Sequence, residues 1–99
     1  MIKSYKLKVF GKVQGVGFRY YTKLKADALN LMGEVKNESD GSVRIFVQGN
    51  EADVKSFIDW CHHGPPSSQV DKLIFEESEI KDIDSFPGIK NNVLSYHVK

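Results

Sequence analysis

The most constraining feature of this sequence is a glycine-rich segment that joins a strand pattern to a helix pattern. Three of the chain's eight glycines lie between Gly11 and Gly17, and Arg19 follows them closely. Backbone N–H groups gathered at the start of a helix bind anions, and an arginine matches the geometry of phosphate oxygens. The positive end of the helix dipole also repels a guanidinium unless an anion lies between them. The segment therefore indicates either an ordinary strand-to-helix turn or a phosphate-binding loop.

Two common nucleotide-binding loops are excluded by the residues that follow the glycines. A P-loop requires Gly-Lys-Ser/Thr after its glycines, and no such run is present. A dinucleotide-binding loop requires a third glycine at the position where this chain has Tyr20. If the segment binds an anion, it belongs to another kind of phosphate site.

Length and composition indicate one small globular domain over residues 1–99, because a chain of this size can bury a single core without a metal or disulfides. The formal net charge of +1 argues against a general nucleic-acid binder. Apolar runs fall short of the roughly 18 residues of a membrane span, and the first residues lack the apolar stretch of a signal peptide. A single cysteine allows no internal disulfide. We therefore expect a cytoplasmic monomer without membrane or nucleic-acid partners.

Hydrophobic periodicity predicts the element order β-α-β-β-α-β with a short extra strand at the C-terminus. Strands are predicted over 4–11, 33–38, 42–48, 69–76 and 94–98, a first helix from 18 to about 30, and a second over 51–62. Residues 77–92 show no clear pattern. This order predicts an α+β protein of ferredoxin-like architecture, with a mainly antiparallel sheet and both helices on one face.

Each predicted helix has an apolar stripe that is expected to face the core. In the second helix, Asn50 is the expected N-cap and the stripe is Val54, Phe57, Ile58 and Cys61. In the first, the expected stripe is Tyr21, Leu24, Ala28 and Leu31, and the expected solvent face is Lys23, Lys25 and Asp27.

Turn residues mark the ends of two of these elements. Asn30 is expected to end the first helix in the left-handed conformation, which asparagine tolerates better than most residues. Asp40-Gly41 predicts a hairpin with a type I′ turn, in which two successive residues have positive φ. The second and third strands are therefore expected to be antiparallel neighbours.

Asn37 is the second candidate for a functional residue. It shares a strand face with Val35, which is expected to point into the core. The first two strands are joined through a helix and run parallel, so their carboxyl ends lie at the same edge of the sheet. Asn37 is therefore either a hydrogen-bonded structural amide or a residue that approaches the loop of residues 13–19.

Other reactive or aromatic residues have simpler explanations. His62 and His63 lie at a helix end without a further His or Cys cluster, so no metal site is expected. Cys61 lies on an apolar stripe and is expected to be buried. Phe10 and Phe46 could stack bases as in an RNA-recognition module, but the basic-glycine-aromatic pattern is missing, and packing under a helix explains them equally well.

Two separate motifs resemble the acylphosphatase family. The first is Gly11-Lys-Val-Gln-Gly-Val-Gly-Phe-Arg19, and the second is Gly33-Glu-Val-Lys-Asn37 followed by Asp40-Gly41-Ser-Val43. Gln48-Gly49, Gly64-Pro65-Pro66 and Val70 also fit, so the resemblance covers residues 5 to about 75. Asn30, Glu34 and Ser68 depart from the family's usual residues, but none of them lies in the phosphate loop or at Asn37.

The resemblance implies a small α+β enzyme that hydrolyses acyl (carboxyl) phosphates without a metal or cofactor. The family's phosphate-binding arginine falls on Arg19 and its water-positioning asparagine on Asn37. The backbone N–H groups of Gly15, Val16, Gly17, Phe18 and Arg19 would hold the phosphoryl oxygens, and the partner would be a small-molecule acyl phosphate. Two alternatives remain on the same scaffold: a non-catalytic module that binds phosphate or carbamoyl phosphate, and an RNA-binding module.

Overall fold

The computed structural model describes residues 1–82 and 97–98 of the chain. The elements are β1 (Ile2–Lys12), α1 (Phe18–Ala28), β2 (Met32–Asn37), β3 (Val43–Asn50), α2 (Glu51–Cys61), β4 (Gln69–Glu77) and β5 (His97–Val98). This is the order that the periodicity predicts, and β5 is the end of the strand predicted over 94–98. Residues 94–96, and most of the stretch that showed no clear pattern, lie outside the described residues. Neither helix in the described ranges is long and apolar enough to cross a membrane.

The strands form one sheet in the order β4-β1-β3-β2-β5. β1 is antiparallel to both β3 and β4, while β2 is antiparallel to β3 and parallel to β5. α1 packs against β2, and α2 packs against β1 and β3. The predicted ferredoxin-like α+β fold is confirmed. Because β1 and β2 run in the same direction on either side of β3, their carboxyl ends meet at one edge of the sheet.

The core lies between the helices and one face of the sheet. On the sheet, the alternating residues of β3 that face inward are completely buried: Val43, Ile45 and Val47. On α2, the predicted stripe is buried as expected: Val54, Phe57, Ile58 and Cys61. Asn50 Oδ1 accepts a hydrogen bond of 3.1 Å from the Ala52 N–H, which confirms the predicted N-cap. Each apolar side chain of this size stabilises the fold by about 1.5–3 kcal/mol when buried.

The predicted inner face of α1 is wrong for Tyr21, Leu24 and Ala28, whereas Leu31, which follows the helix, is buried as expected. The helix buries Phe18, Thr22 and Ala26, whereas Tyr21 and Leu24 are 44% and 45% exposed. The buried residues are spaced four apart along the helix, and two of them are small. Small side chains at these positions let the helix lie close to β2, so packing volume decided the rotation of the helix and the count of large apolar residues did not.

Both predicted turns form, but the hairpin is of a different type. Asn30 has a φ of 55°, as expected for a left-handed helix end. In the hairpin, Gly41 has a φ of 91° but Asp40 has no positive φ, so the turn is not type I′. The Glu38 N–H donates to Ser42 O at 2.8 Å and encloses a three-residue loop with glycine at its left-handed position. Hydrogen bonds from the Ser42 hydroxyl and N–H hold the pKa of Asp40 well below its usual value and fix this turn.

Candidate active site

The glycine-rich segment leaves β1 and enters α1 through two left-handed residues. Gly15 and Gly17 have φ values of 74° and 78°, a region that residues with a Cβ adopt only at a cost. Gly17 is the N-cap residue of α1; it provides no side-chain cap, and the first turn of the helix contains no acidic residue. Phe18, which is 1% exposed, anchors the start of the helix in the core. The loop therefore presents the uncapped, positive end of a helix dipole.

Three side-chain hydrogen bonds and one tight packing contact fasten this loop to other parts of the chain. Gln14 Nε2 donates to Glu38 O at 2.7 Å and to Ser42 O at 2.8 Å, which ties the loop to the β2–β3 hairpin. On the other side, the Ser67 hydroxyl donates to Val16 O at 2.8 Å.

Gly64 lies so close to the start of α1 that a Cβ there would be 2.6 Å from Phe18 Cε2. Its φ of 68° also requires glycine. Sequence reasoning assigned Gln14 and Ser67 no role, because nothing in residue spacing shows which distant carbonyls a side chain reaches.

Arg19 and Asn37 line one cavity of about 400 Å³ at the shared edge of β1 and β2. Its other lining residues are Val13, Gly15, Gly17, Phe18, Tyr20, Lys23 and Val98. Four of the five residues that were expected to surround the phosphate by their N–H groups thus lie at the cavity. The fifth, Val16, packs its side chain against the core. The expectation that Asn37 approaches the loop of residues 13–19 agrees with this geometry.

One atom of the Asn37 amide has no structural hydrogen bond among the described residues. Its Oδ1 atom is buried and makes no hydrogen bond within residues 1–82 and 97–98. A buried acceptor without a partner costs about 1–3 kcal/mol, so each one needs an explanation; Thr22 Oγ1 and Ser78 Oγ are the other such atoms among the described residues. Val35, two residues earlier on the same face, is completely buried, so the strand directs Asn37 from the core toward the cavity edge.

The cavity wall is positively charged. Arg19 and Lys23 are its charged lining residues, and none of the described residues that line it is acidic. The two lie one helical turn apart on α1. Lys23 Nζ is 2.5 Å from Asp27 Oδ2, and the two side chains are 35% and 31% exposed. Together with the helix start, this wall attracts anions.

The remaining candidates lie away from this cavity. Cys61 is completely buried, and burial raises the pKa of its thiol, so it is not a nucleophile. The Nδ1 atoms of His62 and His63 lie within 3.3 Å of carbonyls of the last helical turn. In the part of the chain that the structure describes, no three His, Cys, Asp or Glu residues are grouped to hold a metal.

The two phenylalanines considered for base stacking lie on the outer face of the sheet. The expectation of packing under a helix is therefore wrong for Phe46, which is 7% exposed and lies 4.6 Å from Lys81 Nζ, measured to its ring centroid. Lys8 and Lys72 have their ammonium groups 5.4 and 5.8 Å from the ring centroid of Phe10. Lysine side chains thus lie against both rings, at the positions that stacked bases would need.

The hydrogen bonds of Gln14 lead to a prediction about positioning. In Gln14→Leu we expect kcat to fall about tenfold with a smaller change in KM, because the hairpin that carries Asn37 is no longer tied to the phosphate loop. Unfolding in urea should show a loss of about 1–2 kcal/mol, because each carbonyl keeps one other partner. Gln69→Leu, which removes an exposed glutamine on β4, is the matched control. An unchanged kcat in a folded Gln14→Leu variant would contradict the positioning role.

Fold and cavity together define a class: a small α+β sandwich with a positively charged cavity where the first strand meets the first helix. The family model for acylphosphatase matches residues 5–87. A curated acylphosphatase of Mannheimia succiniciproducens is 50% identical over 78 residues, 79% of this chain and 84% of that protein. The chain belongs to the acylphosphatase family.

Solved structures agree with this assignment. An acylphosphatase from Coxiella burnetii is similar with a TM-score of 0.84 and 31% identity, covering 99% of this chain and 93% of that one. HypF from T. kodakarensis is similar with a TM-score of 0.76 and 35% identity, covering 98% of this chain but only 12% of that one. The same unit thus occurs both as nearly a whole protein and as a small part of a long one.

Proposed function

We propose that this protein hydrolyses acyl phosphates to a carboxylate and inorganic phosphate, with Arg19 and Asn37 as its catalytic residues. The observation that carries the proposal is their position on one cavity, beside the glycine loop and the start of α1. Membership of the acylphosphatase family supports the reaction type. The substrate would be a small-molecule acyl phosphate.

Arg19 and the loop are the phosphate-binding part of the proposed site. A guanidinium binds two phosphoryl oxygens at once through parallel N–H donors. Backbone N–H groups of residues 15–19 would bind the remaining oxygens at the positive end of the helix dipole. These donors are fixed before the substrate arrives, because Gln14 and Ser67 fasten the loop. They therefore stabilise the charge of the transition state without reorganising.

Asn37 is proposed to orient the attacking water. A carboxamide is neutral at pH 7 and cannot remove a proton, but it both donates and accepts hydrogen bonds and can therefore hold a water in line with the breaking bond. The water oxygen attacks phosphorus, the bond between phosphorus and the acyl oxygen breaks, and the electron pair leaves with the carboxylate. The water's surplus proton passes to solvent or to the phosphate product.

The leaving group explains why these few residues suffice. The conjugate acid of a carboxylate has a pKa of roughly 4, so this group departs without a proton donor. Phosphoryl transfer passes through a loose transition state, in which bond breaking is far advanced and a strong base is not needed. Positioning and charge stabilisation are then the main tasks, and the cavity provides residues for both. We accordingly propose that the reaction uses neither a metal nor another cofactor.

An assay with chelator tests the reaction type. We expect acetyl phosphate to be hydrolysed at an undiminished rate in EDTA, and ethyl phosphate not to be hydrolysed measurably, because an alkoxide is a poor leaving group. Phosphate release measured with and without added divalent metal checks both points. Activity that requires the added metal would contradict the proposed mechanism, and comparable rates on acetyl phosphate and ethyl phosphate would contradict the leaving-group argument.

A second candidate is a module that binds phosphate or carbamoyl phosphate without turnover. The match to only 12% of HypF from T. kodakarensis supports it, because it places a similar unit inside a much longer protein. The same assay separates the two functions. Phosphate binding by a folded protein that hydrolyses neither acetyl nor carbamoyl phosphate would favour the module.

We further propose that the chain forms one domain over residues 1–99 and acts as a monomer in the cytoplasm. The family match over residues 5–87 supports a single domain. The single cysteine, Cys61, is a buried free thiol, which suits a reducing compartment. Charged residues of both signs make up 27% of the chain, a fraction that suits the surface of a small soluble monomer.

A further inference from the structure

We propose that Lys23 makes this site selective for acyl phosphates whose acyl group carries a second negative charge. The inference rests on the proposed hydrolysis of acyl phosphates and adds a substrate class to it. Its starting point is that Lys23 lines the same cavity as Arg19 and Asn37. Sequence analysis placed Lys23 on the solvent face of α1, and the rotation of the helix brings it to the cavity wall.

Two cations on one turn of a helix need a reason. Arg19 and Lys23 are separated by four residues, so their Cβ atoms lie roughly 5–6 Å apart on the same side of α1. Like charges at this spacing destabilise a helix, and neither is near the C-terminal end, where the dipole favours cations. The phosphoryl group accounts for Arg19. Asp27 is a partner of Lys23 on the helix itself, and a second anion on the substrate would give Lys23 a further partner on the side of the cavity.

The cavity has room for an acyl group beside Lys23. A volume of about 400 Å³ is far larger than a phosphoryl group needs, and Tyr20 and Val98 belong to its wall. Tyr20 is 60% exposed, so its ring lies at the rim, where part of the acyl group would emerge. No acidic side chain is found among the described lining residues to repel a substrate carboxylate.

The ion pair with Asp27 is weak enough for Lys23 to exchange this partner for another anion. Both partners are about one-third exposed, and ion pairs of this exposure are weak. The order of the pair, with the lysine four residues before the acid, is also the less favourable one on a helix. Lys23 can therefore transfer its ammonium group from Asp27 to a carboxylate on the substrate with little loss.

Two aromatic substrates of equal size test this selectivity. 4-Carboxybenzoyl phosphate carries the second charge, and 4-carbamoylbenzoyl phosphate is its neutral counterpart with a similar leaving group. We expect kcat/KM to favour the charged substrate by roughly fivefold at low ionic strength, the strength of an exposed ion pair. The ratio should fall toward one as salt is added, because salt screens exposed charges.

Substitutions on α1 test whether Lys23 causes the preference in kcat/KM for the charged substrate. We expect Lys23→Met to bring the ratio to about one and Lys23→Arg to preserve it. Lys25→Met removes a lysine of the same helix that does not line the cavity, and it should keep the wild-type ratio. The inference would be overturned if the ratio of the two kcat/KM values were the same in Lys23→Met as in the wild type. It would also be overturned if this ratio did not change with salt concentration.

Binding measurements separate this inference from the proposed function. 4-(Phosphonomethyl)benzoate and its benzamide analogue cannot be hydrolysed, and calorimetry gives their dissociation constants for wild type and Lys23→Met. If neither acyl phosphate is turned over, the proposed function is wrong; the calorimetric ratio then still supports or refutes the charge preference. If both are turned over equally well and both analogues bind equally, the proposed function stands and Lys23 has no such role.

Discussion

Replacing Arg19 with alanine is expected to lower kcat/KM for acetyl phosphate about 10³-fold and to abolish measurable binding of inorganic phosphate. An arginine that stabilises a phosphoryl transition state contributes 10³–10⁵ in kcat in related chemistry, and here no second arginine lines the cavity within the described residues. Lys23 cannot replace it, because an ammonium is a point charge and lacks the guanidinium's two parallel donors. Steady-state kinetics and phosphate calorimetry measure the two effects.

The chain offers a matched control for this experiment. Its other arginine, Arg44, is 56% exposed and pairs with Glu38 at 3.0 Å on the outer face of the sheet. Arg44→Ala removes the same side chain and the same charge without touching the cavity, and we expect near wild-type kinetics. Arg19→Lys should recover only a small part of the activity, which distinguishes the guanidinium geometry from charge. Wild-type-like turnover by folded Arg19→Ala would refute the proposed site.

Replacing Asn37 with alanine is expected to lower kcat by about 10²–10³-fold while phosphate still binds. A neutral amide that acts on the attacking water is needed in the transition state more than in the ground state, so its loss should appear in kcat and not in KM. The expected decrease in kcat is the one typical for removal of a single hydrogen-bonding group at a reacting centre. Because Oδ1 of Asn37 is buried and accepts no hydrogen bond from residues 1–82 or 97–98, its removal should leave stability unchanged or slightly improved.

That combination separates a catalytic amide from a structural one. Asn50→Ala removes an asparagine that does hold the fold together, the N-cap of α2, and should cost about 0.5–2 kcal/mol of stability with little effect on kcat. Urea unfolding and kinetics on both variants should therefore give opposite results. Loss of stability without loss of kcat in Asn37→Ala would show that Asn37 is a structural amide.

Local pattern was sufficient for most of the fold and for selecting Arg19 and Asn37 as candidates, whereas their roles were implied by the resemblance to acylphosphatases. The alternation of β3 and the 3.6-residue stripe of α2 follow directly from backbone geometry, and both are buried as predicted. The direction of β1 and β2 follows from the helix between them, and it places the glycine loop and Asn37 at one edge. Arg19 and Asn37 could be proposed from sequence for that reason.

Features that depend on long-range contacts could not be predicted from local residue patterns. Which face of α1 is buried depends on how closely small residues such as Thr22 and Ala26 let the helix approach β2. The hydrophobicity of the residues does not predict that distance. The turn type of the hairpin depends on whether both Asp40 and Gly41 have positive φ or Gly41 alone has it, and the Asp-Gly sequence is compatible with both. Gln14 joins residues 24 and 28 positions away.

The sequence by itself determined the order of the elements, the left-handed glycines of the loop and the arginine at the start of the helix. These features depend on the covalent properties of neighbouring residues: the missing Cβ of glycine, the periods of strand and helix, and the fixed charge of a guanidinium. The tertiary structure alone decided that Lys23 joins Arg19 at the cavity and that Gln14 fastens the loop. It also decided that Asn37 has a buried oxygen with no hydrogen bond to the part of the chain that is described. Those features depend on the packing of distant segments, where side-chain volume fixes how each element is rotated and what it can reach.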